Sequence, residues 1–306
     1  MVKIYKNDKA KQQVISSYNQ LMDRWEVQYQ EHTVDTKYGF THCITCGKPE
    51  NPPLLLFHGV GDNAAVMWVL NIKQLSTHFY CIAVDTIGGP GKSVPNENYT
   101  KHSFNQVEWI NEILDHFNIK KINMAGVSNG AYMAYNYAAV NPDRVHKVVC
   151  LEGGMVTNPL KAMFNTLLIM FPEILVPTYR NLSKVLRKLS SPHTDLFAKY
   201  PIIEEHLITL MKSHNQQAMF AHKIEKYDRS RGIAVREKLY FLIAEHHLNR
   251  KNDLIHTLDD GRYYYKVIAN AGHGINHEQP EIINDEIIQF VLGGSNDKTT
   301  IRSAYN

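Results

Sequence analysis

KINMAGVSNGAYMAYNYAAV, residues 121–140, joins two kinds of sequence at one serine. Its first part, KINMAGV, is a short apolar run of strand type, and NGAYMAYNYAAV reads as a helix. At the junction stands Gly126-Val127-Ser128-Asn129-Gly130, a G-x-S-x-G. Between a strand and a helix, that spacing predicts a tight bend that lifts the central hydroxyl above the end of a sheet. The surrounding backbone crowds such a bend, so the positions two before and two after need almost no side chain. Both are glycine. Ser128 is therefore a candidate nucleophile; the plainer reading is a glycine-rich turn with a solvated serine.

The segments on either side repeat the pattern. PLLLFHG (53–59) and FYCIAVDT (79–86) are apolar strand-like runs separated by the helix-like AVMWVLNIKQLS (65–76). SFNQVEWINEILDHF (103–117) reads as a helix capped by Ser103. RVHKVVCLEGG (144–154), KLYFLIAEHH (238–247) and YYYKVIANAGH (263–273) are further strands, and EIINDEIIQFVL (281–292) a closing helix. Continuously apolar strands separated by helices predict an α/β fold with a mostly parallel central sheet covered on both faces. Residues 1–26 predict an N-terminal helix packing on that core, with Val14, Tyr18, Leu21, Met22 and Trp25 near one face. Segments 27–35 and 39–46 predict two strands turning at Tyr38-Gly39.

The alternation stops near Met155 and resumes near Lys238. Residues 155–237 are helical in pattern and interrupted by Pro172, Pro177, Pro192 and Pro201. They predict a helical cap inserted over the sheet's C-terminal edge, where open α/β sheets bind ligands. The core would then comprise 27–154 and 238–294, followed by a flexible polar tail at 295–306.

Composition narrows the function. A net charge of +3, without a dense Lys/Arg block, argues against nucleic acid as a partner. The N-terminal MVKIYKNDKAKQQ lacks the apolar core of a signal peptide. LLIMFPEILVP (167–177) is too short to span a bilayer and is broken by Pro172 and Glu173. A cytoplasmic protein without a membrane span is the expectation, and nothing sets its oligomeric state. Cys43 and Cys46 form a CxxC inside a predicted strand, where positions three apart face opposite ways. His277 lies in HEQPE, where Pro280 opposes a zinc-binding helix. No metal and no cofactor is expected.

A serine hydroxyl needs a base to take its proton. NAGHGINHEQPE (270–281) supplies candidates just after the last strand. His273 follows a glycine at that strand's C-terminal end, from where it can reach the bend at Ser128. His277, beside the final helix, is expected at the surface or facing a cap. The charge that develops on an attacked carbonyl calls for aimed backbone amides. Asn129, first in the helix after Ser128, offers one, and Val60 in HGVG (58–61) the other. His58 is expected to order that loop.

Taken together, these segments resemble the α/β-hydrolase superfamily, and within it small bacterial carboxylesterases with a helical cap. The residues that match are His58-Gly59-Val60-Gly61, DTIGGPGKS (85–93), 126–130, and Gly272-His273 followed by Glu278-Gln279-Pro280. DTIGGPGKS is similar to a D-x-x-G-x-G-x-S loop with one extra residue. The resemblance implies a nucleophile elbow at Ser128, His273 as base, and hydrolysis of a small ester with an apolar acyl part. MFNTLLIMFPEILVP (163–177) in the cap would line an acyl pocket or form the cap's own core.

One position departs from the pattern. The family usually carries its acid after the seventh strand, in a segment like G-E-x-D, where this chain has Ala244-Glu245-His246-His247. A histidine cannot orient and charge-stabilise an imidazolium as a carboxylate does. Glu152 ends the apolar run VVCLEGG (148–154), one helix and one strand after Ser128. Pancreatic-type lipases and some haloalkane dehalogenases look similar in placing their acid there. Glu152 is the candidate, with Glu245 and Asp253 as alternatives. Cleavage of a thioester or carbon–carbon bond, or a non-catalytic ligand-binding protein on the same fold, are the rival functions.

Overall fold

The computed structural model describes residues 2–246 and 252–293. The chain enters through α1 (Asp8–Met22), whose first turn is capped by Asn7, its side chain accepting from the Ala10 amide. Val14, Tyr18 and Leu21 bury one face of α1, and Trp25 is buried just beyond it. β1 (Tyr29–Thr36) and β2 (Gly39–Cys46) pair as an antiparallel hairpin. β3 (Pro53–Phe57), α2 (Ala64–Met67), α3 (Ile72–His78), β4 (Tyr80–Val84) and the short β5 (Val94–Pro95) follow. Next come α4 (Gln106–His116), β6 (Ile122–Val127), α5 (Asn129–Val140) and β7 (Val145–Leu151).

From β7 to β8 the described chain is helical, with α6 (Pro159–Met170), α7 (Tyr179–Leu189), α8 (Leu196–Lys199), α9 (Pro201–Ser213) and α10 (Arg229–Val235). The helical cap is this insertion. The chain then closes with β8 (Leu239–Ala244), α11 (Asn252–Gly261), β9 (Tyr264–Ile268), α12 (Ile275–Glu278) and α13 (Pro280–Leu292).

The sheet runs β1-β2-β4-β3-β6-β7-β8-β9, with β5 added against β2. Every pair from β4 to β9 is parallel. The chain steps from β3 outward to β4 and then back across to β6. That reversal opens a crevice beyond the C-terminal ends of β3 and β6, the usual place for a ligand in such sheets. β3, β6 and β8 are almost wholly buried because helices cover both faces, which is why they are apolar without alternation. Cys43 joins the apolar cluster on one face and Cys46 that on the other. The strand thus separates the two thiols.

Some local expectations need correction. The helix expected over 65–76 divides into α2 and α3. Asn71, buried between them, donates to Asn276 O and Asn284 Oδ1, and so ties this break to α12 and α13. α4 is capped by Asn105, whose Oδ1 accepts from the amides of Val107 and Glu108. Ser103 instead donates to Asn98 O at 2.6 Å. The polar tail at 295–306 and His247 lie outside the described residues.

Buried histidines fasten the cap to the core. His206 of α9 hydrogen-bonds Ser17 of α1 at 2.6 Å and Asn63, the cap of α2, at 3.0 Å. His214 donates to Gly88 O at 3.0 Å, and His222 to Ile87 O at 2.8 Å. Burial pushes all three down, to about 3 for His206 and about 4 for His214 and His222. They are neutral imidazoles used as struts.

Candidate active site

Ser128 joins β6 to α5 with φ 56° and ψ −113°, a left-handed backbone that only a sterically enforced turn keeps on a non-glycine residue. Its amide is fixed to Leu151 O on the neighbouring strand at 2.8 Å. A serine opening a helix ordinarily caps it, but here the side chain makes no cap bond and the hydroxyl is left free. The two flanking glycines are a packing requirement. A Cβ on residue 126 would stand 2.3 Å from the Gly130 carbonyl, and one on 130 would stand 2.6 Å from Phe57 O. The second contact seats the N-terminus of α5 directly on the end of β3, beside the 58–61 loop.

The loop after β3 is held from below. His58 is buried, its Nδ1 donating to Gly59 O at 2.7 Å and its Nε2 accepting the Thr86 amide at 2.8 Å. Both ring nitrogens are occupied, and burial holds its pKa below the ordinary histidine value. Such a ring orders a loop. Asp85 supports the same region, accepting from the amides of Ala64 (2.9 Å) and Lys92 (2.8 Å) and pairing with His42 Nδ1 at 2.9 Å. Burial would raise this carboxyl, but those partners outweigh it and hold it near 2. No other group engages the amides of Val60 and Asn129 among the described residues.

Glu152 stands immediately after β7, also left-handed at φ 52°. Its amide binds Leu242 O at 3.0 Å and its side chain is fully buried. Oε1 accepts the Ala244 amide at 2.6 Å, and Oε2 lies 3.4 Å from His273 Nδ1. His273 is anchored by its own amide to Leu189 O, at the end of cap helix α7, at 2.7 Å. Burial alone would lower the His273 pKa, but the Glu152 carboxylate outweighs it, with help from Asp62 and Glu278, and the net shift is upward. A carboxylate on Nδ1 leaves Nε2 for the reacting side. Among the described residues the Ser128 hydroxyl has no hydrogen-bond partner; catalytic contacts of this kind commonly tighten only with substrate bound.

The alternative carboxylates are occupied elsewhere. Glu245 is half-exposed and its Oε2 accepts the Asn270 amide at 2.9 Å, bracing the turn that precedes His273. Asp253, on α11, pairs with Lys161 of α6 at 2.8 Å. His277 corrects an expectation: it is buried, and its Nε2 hydrogen-bonds the Val66 and Met67 carbonyls at 2.8 and 3.1 Å. It faces α2, away from solvent.

Two features were not anticipated. Asp62 sits at the end of the 58–61 loop, half-buried, with burial pushing its carboxyl up to about 7 against the pull of His273. The only hint in the sequence was an acid directly after HGVG. The second is the cap's apolar stretch. Phe164, Leu167, Leu168, Phe171, Leu175 and Val176 are all more than half exposed. These side chains therefore form no part of the cap's core, which is built instead from Leu182, Val185, Leu186, Ile203, Ile208 and Leu210. Among the described residues, no helix is long and apolar enough to cross a membrane.

Comparison with known proteins agrees with this architecture. Residues 52–182 match the family model for the alpha/beta hydrolase fold. The carboxylesterase YbfK of Bacillus subtilis is 26% identical over 294 residues, covering 91% of this chain and 93% of its own. The crystal structure of that protein, CesB (YbfK), superimposes with a TM-score of 0.77 at 21% identity, over 94% of this chain and 99% of the other. Naproxen esterase from Bacillus subtilis gives a TM-score of 0.78 at 23% identity, over 93% and 99%. The chain has the α/β-hydrolase fold with a helical cap and is homologous to bacterial carboxylesterases.

Proposed function

We propose that this protein is a serine hydrolase that cleaves small carboxylic esters through an acyl-enzyme, with Ser128, His273 and Glu152 as its triad. The observation that carries the reading is the buried Glu152 carboxylate on His273 Nδ1, across the same crevice into which a strained, uncapped Ser128 projects. The homology to carboxylesterases supports ester as the substrate class.

In this mechanism His273 Nε2 takes the Ser128 proton as Oγ attacks the ester carbonyl. The developing oxyanion is received by the amides of Val60 and Asn129, the second reinforced by the N-terminal end of α5. Glu152 keeps the proton on Nδ1 and stabilises the imidazolium, without itself taking the proton. His273 then passes its proton to the leaving alcohol. A water, activated by the same imidazole, releases the acid and restores Ser128.

A fluorophosphonate probe and a p-nitrophenyl ester test this directly. Wild type should be labelled at Ser128 and should turn over. Ser128→Ala should lose the label, with turnover falling on the order of 10^5–10^6-fold. An inert wild type, or labelling that survives the substitution, removes Ser128 from the role.

A further inference from the structure

A carboxyl beside a nucleophile that attacks esters is an unusual neighbour, because its charge opposes the oxyanion. Asp62 is such a carboxyl. The 58–61 loop turns back on itself, the Asp62 amide reaching Gly59 O at 3.4 Å, and carries the side chain over the turn. A Cβ on residue 59 would lie 3.1 Å from Asp62 Oδ2 and 3.6 Å from Ser128 Cβ, so the two groups flank the same point. Asp62 and His273 also act on each other electrostatically, which puts the carboxyl near the base as well as the nucleophile.

Asp62 differs from the other acids around the site in having no partner. Glu152, Glu245 and Asp85 each accept backbone amides. The Asp62 carboxyl has no hydrogen bond and no ion pair among the described residues. A half-buried carboxyl left in that condition costs stability, so a fold does not acquire one for its own sake. It lies beside both the nucleophile and the base, and that makes the substrate the available partner.

We propose that Asp62 is a specificity residue that receives a hydrogen-bond donor, a hydroxyl or an ammonium, carried by the substrate close to the scissile carbonyl. The inference rests on the hydrolase reading above and narrows its substrates to hydroxylated or amino esters. A site with a polar group waiting for such a donor discriminates against analogues that lack it, because binding them leaves the group unpaired. It also disfavours esters that carry a second carboxylate, which would meet a like charge. Burial shifts the ionisation of Asp62 toward neutrality, opposed by His273, the charged group that faces it. The preference for a cationic substrate should therefore grow as pH rises through about 7.

The test compares three p-nitrophenyl esters of matched chain length: hexanoate, 2-hydroxyhexanoate and 2-aminohexanoate. Differences in intrinsic reactivity cancel when each kcat/KM ratio to hexanoate is compared between wild type and variant. Asp62→Leu should lower both ratios at least tenfold. Asp62→Asn, which keeps an acceptor oxygen but no charge, should restore the hydroxy ester and leave the amino ester poor. Ratios that stay within twofold of wild type in Asp62→Leu overturn the assignment while leaving the esterase reading intact. A wild type that hydrolyses none of the three and escapes the fluorophosphonate probe overturns both.

Discussion

At the ends of β6 and β7, the amides of Ser128 and Glu152 each bind a carbonyl of the neighbouring strand, Leu151 O and Leu242 O, and the Glu152 carboxylate accepts the Ala244 amide. The outer face of α6 is the opposite case. Leu160, Phe164, Leu167, Leu168 and Phe171 recur at helical spacing along one stripe, and that stripe faces solvent. The first region is over-determined: two left-handed residues persist because strands, glycines and a helix terminus all demand them. The second is tied to α11 through Lys161 and Asp253 and packs against α7 behind it. The contrast teaches that the chemistry is mounted on the rigid sheet, whereas the cap joins it through a shared apolar cluster and a few polar fastenings and leaves one face of α6 to solvent.

The largest effect should come from disturbing the rigid side. Glu152→Gln keeps the shape and removes the charge, and kcat should fall about 10^4-fold, as for loss of a triad carboxylate. Glu245→Gln should change kcat only a few-fold, because that side chain braces a backbone turn. The pH profile gives a second readout. Glu152 raises the His273 pKa, so the acidic limb of kcat/KM should lie above the ordinary histidine value in wild type and move to lower pH in residual Glu152→Gln activity. Equal losses in the two variants would erase the distinction between the strand-end carboxylate and its neighbour.

How much of this was readable beforehand follows the same division. The bend at Ser128 was legible because its sterics leave only glycine at 126 and 130, and such a constraint is written in the residues themselves. Counting one helix and one strand placed Glu152 at the end of β7, because alternation in a parallel sheet fixes where each strand ends. Periodicity, however, says which side chains share a face and not which way the face points. At 163–177 it marks an apolar stripe without showing that the stripe lies outside the cap's core. The burial of His277 is not legible for a related reason: it depends on α2, a contact made across about two hundred residues of sequence. Asp62 was passed over because nothing in an alternating pattern directs the side chain of a loop residue.

The polar fastenings of the cap should respond to acid. His206, His214 and His222 are neutral in the fold, with pKa values pushed by burial to about 3, 4 and 4. An unfolded chain takes up these protons near pH 6.5, so stability is complete above that pH and declines as pH falls toward about 4. Each histidine contributes roughly 1.4 kcal/mol per pH unit within that window. His58 and His277, also lowered by burial, act in the same sense, whereas His42 and His273, whose pKa values are raised, and Asp62, raised to about 7, act in the opposite sense and reduce the net slope. Urea denaturation between pH 7 and 5 should show falling stability, and His214→Asn should flatten the curve by about one histidine's share. A His214→Asn curve parallel to that of wild type would mean that this strut is not held neutral by the fold.

The smallest effect, and the finest test of the contrast, lies inside the cap itself. Leu182 of α7 is 0% exposed and Leu168 of α6 is 57% exposed, although both lie in helices of one inserted segment. Leu182→Ala leaves a cavity in the apolar cluster that Leu182 shares with Leu186 and with Ile203, Ile208 and Leu210 of α9, and should cost about 2–5 kcal/mol. Leu168→Ala removes side-chain atoms that are already largely in water, and alanine is at least as good a helix former, so its cost should stay within about 0.5 kcal/mol. Urea midpoints at unchanged slope distinguish the two. A loss of 2 kcal/mol or more for Leu168→Ala would mean that the outer stripe of α6 is packed in solution, and the division between a rigid site and a solvent-facing α6 would have to be redrawn.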